Sequence, residues 1–457
     1  MLAAWAIPVL LALSPADIRG FTEISLNRAV LGFSFGLSIL TGTLFGLFPA
    51  FSVSSANPNE SLGEGERGST ASRSHPRSIL IAAEVGLSLV LLIGAGLMLK
   101  SFSKLTHVDP GFNSDHLLTF DLSPSFIDEE RQVIFYQQAI ERLRALPGVQ
   151  KIAAISRLPF SGGNSGRSFG VPGSDTSHDA DIRVASPEYF STMAIPLLKG
   201  RVFNEHDRKG ALPVIVINEA LAADVFPGQD PIGKYVEKFG PKSETLQIVG
   251  VVGNVRSLSL GTAPRAEIYQ PLGQAGWSSM FFAVRSASAN PLTLVPTTQN
   301  AIWNIDRNVA LGNVRSMQDA LAHSVVKQKF AMVLLGIFAG LALLLASIGL
   351  YGVMSYSVSQ RTREIGIRMA VGAQRSDVLK LVVRQGMILT ALGVAVGLVA
   401  SFGLTRLMST MLYGVSATDA ITFLGVSALL AAVALLACWV PARRASGVDP
   451  VVALRAE

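Results

Sequence analysis

The chain has 457 residues, of which 49% are hydrophobic and only 15% charged. That balance is too apolar for an ordinary soluble enzyme and fits a protein that is part membrane, part soluble domain. The formal net charge of +6 is modest, and its cations gather beside the apolar runs rather than along one soluble face, which points to membrane topology and away from nucleic acid.

The first 62 residues contain a short apolar run, Leu2–Leu13, and a longer one, Ala29–Phe51. The second is a candidate span, since about 20 apolar residues cross the hydrocarbon. The first is too short for a normal span, lacks the Lys/Arg start of a signal peptide and runs into Pro15; it reads as a clipped helix. Residues 63–77 are polar and form a linker. Ser78–Leu99 is the next candidate span, closing a segment 78–100, and it holds one acid, Glu84. An acid inside a span is a functional candidate by default. Its distance of about two turns from Arg77 also allows a structural role, with the carboxylate reaching interfacial water or a neighbouring helix.

Residues 101–328 form a soluble domain of mixed type. Leu117–Leu122 alternates like a strand and Glu129–Leu146 has helical periodicity. Strands are expected at Lys151–Ser156, Val214–Ile217, Thr245–Val252 and Met280–Arg285. Helices are expected at Asn218–Val225, Leu292–Ile305 and Met317–Lys327. Ser161–Asp181, rich in Gly and Ser, is expected to be a mobile loop. The alternation points to small α+β subdomains rather than a β-sandwich.

Residues 329–457 hold three more candidate spans, at 330–354, 385–405 and 420–440, and a polar tail. The fold class is thus an α-helical membrane protein with an α+β extracytoplasmic domain between the first and second spans of its main unit. Arginines and lysines concentrate in 54–77, 358–384 and after Val440, while the loop 406–419 carries only Arg406. The positive-inside rule therefore places those three basic segments in the cytoplasm and residues 101–328 on the far side.

Between the second and third of these spans the connector spends a whole amphipathic helix, 359–374, where a few polar turn residues would suffice. It carries Arg361, Arg363, Glu364, Ile365, Ile367, Arg368, Met369, Ala370 and Gly372, with Glu364 one turn ahead of Arg368 as an i,i+4 pair. An interfacial helix lying on anionic lipid accounts for the arginines. Docking to another protein accounts also for Glu364 and for the compact Ala370-Val-Gly-Ala373 end.

The tail motif Pro441-Ala-Arg443-Arg444-Ala-Ser-Gly-Val-Asp449-Pro450 has an echo at Pro49–Pro58, with Pro, Ala, Ser and Asx-Pro at identical spacing. Both copies follow an apolar run. Either the match is chance, or residues 1–62 are the tail of a preceding membrane unit and 78–457 a complete second one. In the first copy Phe51 and Ser52 replace the two arginines.

No GxxxxGK[ST] phosphate loop occurs, so ATP-driven activity has to borrow an ATPase. No Ser/His/Asp cluster, paired carboxylates or cysteine nucleophile has usable context, and the chain reads as a non-enzyme with no catalytic or cofactor-binding residue of its own. The single Cys438 excludes an intramolecular disulfide or a cysteine metal site, and the six histidines form no i,i+3 or i,i+4 pair.

Through Arg361–Ala373, the tail Pro441…Arg455 and the stretch Ile217-Asn-Glu-Ala…Phe226-Pro-Gly-Gln-Asp-Pro-Ile-Gly-Lys234, the chain resembles the MacB/FtsX-type ABC transporter permeases. The resemblance covers about 78–457; with the partial repeat, the chain looks like the duplicated, eight-span permeases abundant in acidobacteria, truncated at the N-terminus. It implies a multi-pass permease of the bacterial inner membrane with a periplasmic core domain. A separate MacB/LolD/FtsE-type ATPase would dock on the helix centred on Arg363–Ala373 and supply ATP and Mg. It further implies a second permease unit, as a homodimer or a preceding half, and for export a periplasmic adaptor. Efflux of antibiotics, peptides or lipophilic compounds is the leading implication. The alternatives are an FtsX-like regulator of a periplasmic partner such as a cell-wall hydrolase, a lipoprotein-release permease, and a membrane-anchored periplasmic sensor.

Overall fold

In the computed structural model, residues 32–40, 43, 75–125, 128–163, 165–238, 244–361, 365, 367–369, 371 and 374–446 are described. The chain divides into two compact units, Thr106–Val326 and the segments on either side of it.

The unit 106–326 is built on strands whose sequence dictates burial. β1 (Leu117–Leu122), β2 (Val149–Ile155), β3 (Gly166–Gly170), β4 (Ser177–Ala185), β5 (Leu197–Gly200), β6 (Val214–Asn218), β7 (Tyr235–Lys238), β8 (Thr245–Val252), β9 (Glu267–Pro271), β10 (Met280–Ser286) and β11 (Gly312–Ser316) make one eleven-stranded sheet. Its pairing has two parts. Strands β11-β1-β10-β2 run antiparallel as an open four-stranded layer. Strands β4, β3, β7, β8, β6 and β9 pair in turn, and β9 returns to β4, which closes a ring. The two parts meet at a single register pair, Ile155 with Ala185. β6, Val-Ile-Val-Ile-Asn, is buried at every position, as a continuous β-branched run demands of an interior strand.

Helix α2 (Glu129–Arg144) lies on the open layer. Asp128 caps its first turn by accepting from Glu130 N–H at 3.2 Å, acids occupy the first turn and arginines the last, the order that complements the helix dipole. Its buried face, Gln132, Phe135, Tyr136, Ala139, Ile140 and Leu143, packs with Phe120, Phe282 and α5 (Val295–Trp303) in one core. A second core fills the ring, with Phe169, Ile215, Ile217, Leu221, Phe226 and Ile248. Leu221 comes from α4 (Glu219–Val225), which Asn218 both caps and ties down. The Asn218 Oδ1 accepts from Leu221 N–H at 3.1 Å and Glu267 N–H at 3.0 Å, and its Nδ2 donates to the Arg265 carbonyl at 2.7 Å. A third core gathers around α3 (Tyr189–Met193), where Phe190 meets Tyr269 edge-on at 5.1 Å. Helix α6 (Met317–Ser324) completes the unit.

The α+β class is the one expected, and most elements fall within a residue or two of their sequence-based positions. Ser161–Asp181 is a correction. It holds all of β3 and the first half of β4, paired in register from Gly166–Asp181 to Gly170–Ser177. Its Gly and Ser content hid a hairpin held by backbone bonds, in which Phe169 and Ala180 are the side chains that enter the core.

Among the described residues of the membrane unit, four helices are long and apolar enough to cross a bilayer: α1 (His75–Thr106), α7 (Val326–Gln360), α8 (Arg375–Leu407) and α9 (Ala420–Ala445). Each extends past the apolar run that announced it. α8 starts ten residues earlier than the expected span, at Arg375 (385 − 375), because Asp377 in its first turn accepts from Gln374 N–H at 3.1 Å and closes the cap. Of the upstream span 29–51, residues 32–40 are helical and exposed; the rest of residues 1–62, with the repeat at Pro49–Pro58, lies outside the described residues.

Strands β4 and β9 bring a buried charge cluster to the ring closure. Asp181 stands opposite Glu267 in register, with Arg183 two residues on, and all three are at most 3% exposed. Glu267 is fully served: Arg183 donates to it at 3.2 Å, Ser257 at 2.6 Å, and the Tyr269 hydroxyl also donates. Asp181 lies 3.3 Å from Arg265 Nε and 4.0 Å from Arg183 Nη2, yet neither of its carboxylate oxygens accepts a hydrogen bond. Burial therefore raises its carboxyl above the usual range, Arg183 and Arg265 oppose the rise, and Glu267 adds to it. In the unfolded chain this group loses its proton near pH 4, roughly 3.9. The stability it confers is complete below that pH and is lost as pH rises through the higher folded value. Asp181→Asn cannot ionise, so its melting temperature relative to the parent is expected to climb between acid and neutral pH. Each recovered kcal/mol corresponds to about 2–4 °C. Thermal melts of the two proteins across that range check it; a constant difference would contradict the assignment.

Candidate functional site

The connector between α7 and α8 is organised by which apolar side chains it hides. Ile365 is 4% exposed and packs with Val378 at the start of α8, with Val358 and Met369 against them. Residues one turn apart, Ile365 and Met369, therefore face inward. Ile367 and Val371, also one turn apart, face outward at 48% and 84% exposure. Arg361 and Arg368 are exposed on the same segment. Arg363, Glu364, Ala370 and Gly372 lie outside the described residues, as does the Glu364–Arg368 pair. The helical residues here are 365 and 367–369, and α7 itself runs unbroken to Gln360. The connector thus offers two exposed aliphatic side chains flanked by arginines on a base fixed by Ile365.

Glu84 is half-buried in α1 and faces α7. Gly349 makes room for it: a Cβ there would stand 2.6 Å from a Glu84 carboxylate oxygen. One turn on, the Ser88 hydroxyl donates to the Glu84 carbonyl at 2.8 Å and lies 2.9 Å from the Ala342 carbonyl of α7. A polar side chain bridging two spans in this way satisfies itself without water.

The close contacts of the bundle run along glycines. A Cβ on Gly393 would meet the Ala82 carbonyl at 2.8 Å, and one on Gly397 the Gly86 carbonyl at 2.7 Å. α1 and α8 therefore touch backbone to backbone, as small-xxx-small spacing permits. The equally spaced Gly336 and Gly340 on α7 have nothing within 4 Å, nor do Gly32 and Gly36. Spacing alone did not separate the used pair from the unused ones.

Sequence reasoning missed a second set of ties at the other end of α1. Lys100 Nζ donates to both Asp419 oxygens at 2.8 Å. Ser101 Oγ accepts from Tyr413 N–H at 2.7 Å, and Lys104 Nζ donates to the Gly414 carbonyl at 2.5 Å. Asp419 also caps α9, accepting from Thr422 N–H at 3.0 Å and its hydroxyl at 2.6 Å. The Lys100 bond, then the two from Thr422, push the Asp419 carboxyl down to about 2, so it is ionised throughout the physiological range. Gly96 lets this corner close, since a Cβ there would stand 2.9 Å from the Thr422 methyl. The signal was present in the Ser416–Asp419 turn before an apolar run, an N-cap pattern. The tail motif places Pro441 in the interior and Arg443 and Arg444 at the surface, with Asp449 and Pro450 outside the described residues.

Two families match these two units. The FtsX-like permease C-terminal family matches residues 336–450, which hold the connector and the last two spans; the MacB-like periplasmic core domain family matches 85–301. The chain thus carries the two domains found together in MacB/FtsX-type ABC transporter permeases. It is thus a membrane protein with a periplasmic core domain, and MacB-family permeases work with ATPase partners. Among relatives of this permease, the macrolide export ATP-binding/permease protein MacB of Azoarcus sp. (strain BH72) is 26% identical over 68% of the chain and 48% of its own length. The uncharacterized ABC transporter permease YknZ of Bacillus subtilis (strain 168) is 24% identical over 71% and 79% respectively. The chain therefore spans about half the length of the curated MacB relative. The crystal structure of the periplasmic region of MacB from Actinobacillus actinomycetemcomitans aligns over 47% of the chain and 95% of its own, at 16% identity and a TM-score of 0.34.

Gly397→Leu is expected to force α1 and α8 apart and to destabilise the detergent-solubilised permease by about 1–3 kcal/mol, the usual range for overpacking. Gly340→Leu, facing open space, is expected to leave it unchanged. Thermal unfolding followed by fluorescence-detected gel filtration compares them directly.

Proposed function

We propose that this permease converts ATP hydrolysis by a separate cytoplasmic ATPase into motion of its periplasmic core domain, in export across the bacterial envelope. ATP and Mg belong to the partner in this reading, and the chain contributes no catalytic residue. The observation that carries it is the split of the connector: Ile365 is locked against Val378, while Ile367 and Val371 stand exposed between arginines. Exposed aliphatic side chains on a charged connector are costly in water unless something covers them. An anchored base means that a push on the outer face reaches α7 and α8. From α8 the glycine contact carries displacement to α1, the helix that leads into the core domain in sequence.

The macrolide export activity in the name of the MacB relative supports efflux as the process, with antibiotics, peptides or lipophilic compounds as cargo. A second permease unit, supplied by another copy or another half, completes the pair of docking faces that two ATPase subunits require. The inner membrane is the setting this reading demands, with the connector in the cytoplasm.

The double variant Ile367→Asp, Val371→Asp is expected to lose the ATPase on co-purification and to lower stimulated hydrolysis ~30-fold, the effect of removing an interface hot spot worth about 2 kcal/mol. Retention of both the partner and its stimulation by that variant would sink the docking assignment.

A further inference from the structure

The tail motif takes no part in the docking face described above. At the end of α9, Arg444 Nη1 donates to the Tyr351 hydroxyl of α7 at 3.0 Å. The Arg443 guanidinium lies 5.4 Å from the centre of the Trp439 ring, one turn earlier on α9, and Trp439 is 43% exposed. No carboxylate pairs with either arginine among the described residues.

Cations at a helix C-terminus are often held by its unpaired carbonyls. Here those carbonyls are already served. Ser446 N–H bonds to the Ala442 carbonyl at 3.1 Å, and its hydroxyl to that of Arg443 at 2.9 Å. The arginines have an aromatic ring and a phenol as neighbours instead, neither of which neutralises charge. A phenol that accepts from Arg444 keeps its own O–H to donate. Tyr351 and Arg444 therefore offer several donors and a positive charge, with a second guanidinium one residue away, which is the composition that binds a phosphate oxyanion.

The place decides the source of that phosphate. Arg443 and Arg444 end a helix long enough to cross the bilayer, where Trp and Tyr settle at the headgroup level. A zwitterionic headgroup would bring an ammonium towards two guanidiniums; an amine-free anionic one, such as that of phosphatidylglycerol, brings none. We propose that Tyr351, Trp439, Arg443 and Arg444 form a site for the phosphate of an anionic phospholipid where the end of α9 meets α7. A bound lipid would staple the second span to the fourth on the connector side. At Pro49–Pro58, the stretch that echoes the tail motif, Phe51 and Ser52 stand where the two arginines are.

Trp439 supplies the probe. With Trp5, Trp277 and Trp303 replaced by Phe, it is the remaining tryptophan of four, and its fluorescence is quenched by brominated lipid that reaches it. The full chain is reconstituted in bilayers containing brominated phosphatidylglycerol or brominated phosphatidylcholine. Phosphatidylglycerol is expected to quench at the lower mole fraction, by roughly fivefold for each arginine. Arg443→Gln and Arg444→Gln should each remove one such factor. Tyr351→Phe, which removes a donor and no charge, should remove part of the preference at an unchanged melting temperature. Equal quenching by the two lipids in the parent overturns the proposal. A silent Tyr351→Phe also overturns it, leaving only diffuse attraction to surface charge. Loss of the preference in millimolar inorganic phosphate would assign the site to a soluble oxyanion, against the lipid.

Discussion

The membrane unit depends on the contact of α1 with α8 at Gly86, Gly393 and Gly397, where a single methyl group would collide with backbone. Lipid tails are as apolar as leucine side chains, so burial does not draw helices together inside a bilayer; shape and polar bonds do. Glycine contact supplies shape, and Ser88 supplies a polar bond to α7. The third element is ionic: Lys100 to Asp419 at the far end of the same helix. Through these contacts α1, α8 and α9 share one frame, and α7 joins it at Ser88, Gly349 and Tyr351. A permease that works by moving helices needs such a frame, because displacement at one end is otherwise lost in side-chain rearrangement.

Much of this was legible from residue order. Four spans, the soluble domain between the first two and the odd charge of the connector follow from apolar length and cation placement, which depend on composition more than on neighbours. Strands such as Thr245–Val252 announce themselves by β-branched runs. The hairpin of β3 and β4 did not, because five of its residues are exposed at the paired ends and its Gly and Ser content looks like a loop. Ring closure was equally hidden: parallel pairing of β4 with β9 leaves no local trace.

The site residues divide in the same way. The connector was found because charge between two spans is unusual. Its inward and outward faces were not, since Ile365 and Ile367 are the same residue type two positions apart, and only packing against Val378 separates them. The Lys100–Asp419 tie joins residues 319 positions apart, beyond any spacing rule. Glu84 was visible as an acid in a span, but the glycine that accommodates it, Gly349, became meaningful only once the two helices were side by side.

The parallel pairing of β4 with β9 has a kinetic consequence. A strand whose partner lies far along the chain waits for it, because loop closure must be met before the contact gives anything back. During synthesis β4 therefore holds an open hydrogen-bonding edge and the buried charges of Asp181 and Arg183 in water until Glu267 to Pro271 arrive. β1 waits longer still for β10 and β11, so the seam shares its delay with the open layer, and an open edge of that kind is what aggregation and chaperones both recognise. Secretion of this segment ahead of its last strands would lengthen that window, so delivery and folding of the core domain are coupled through the strands that pair last, β9, β10 and β11.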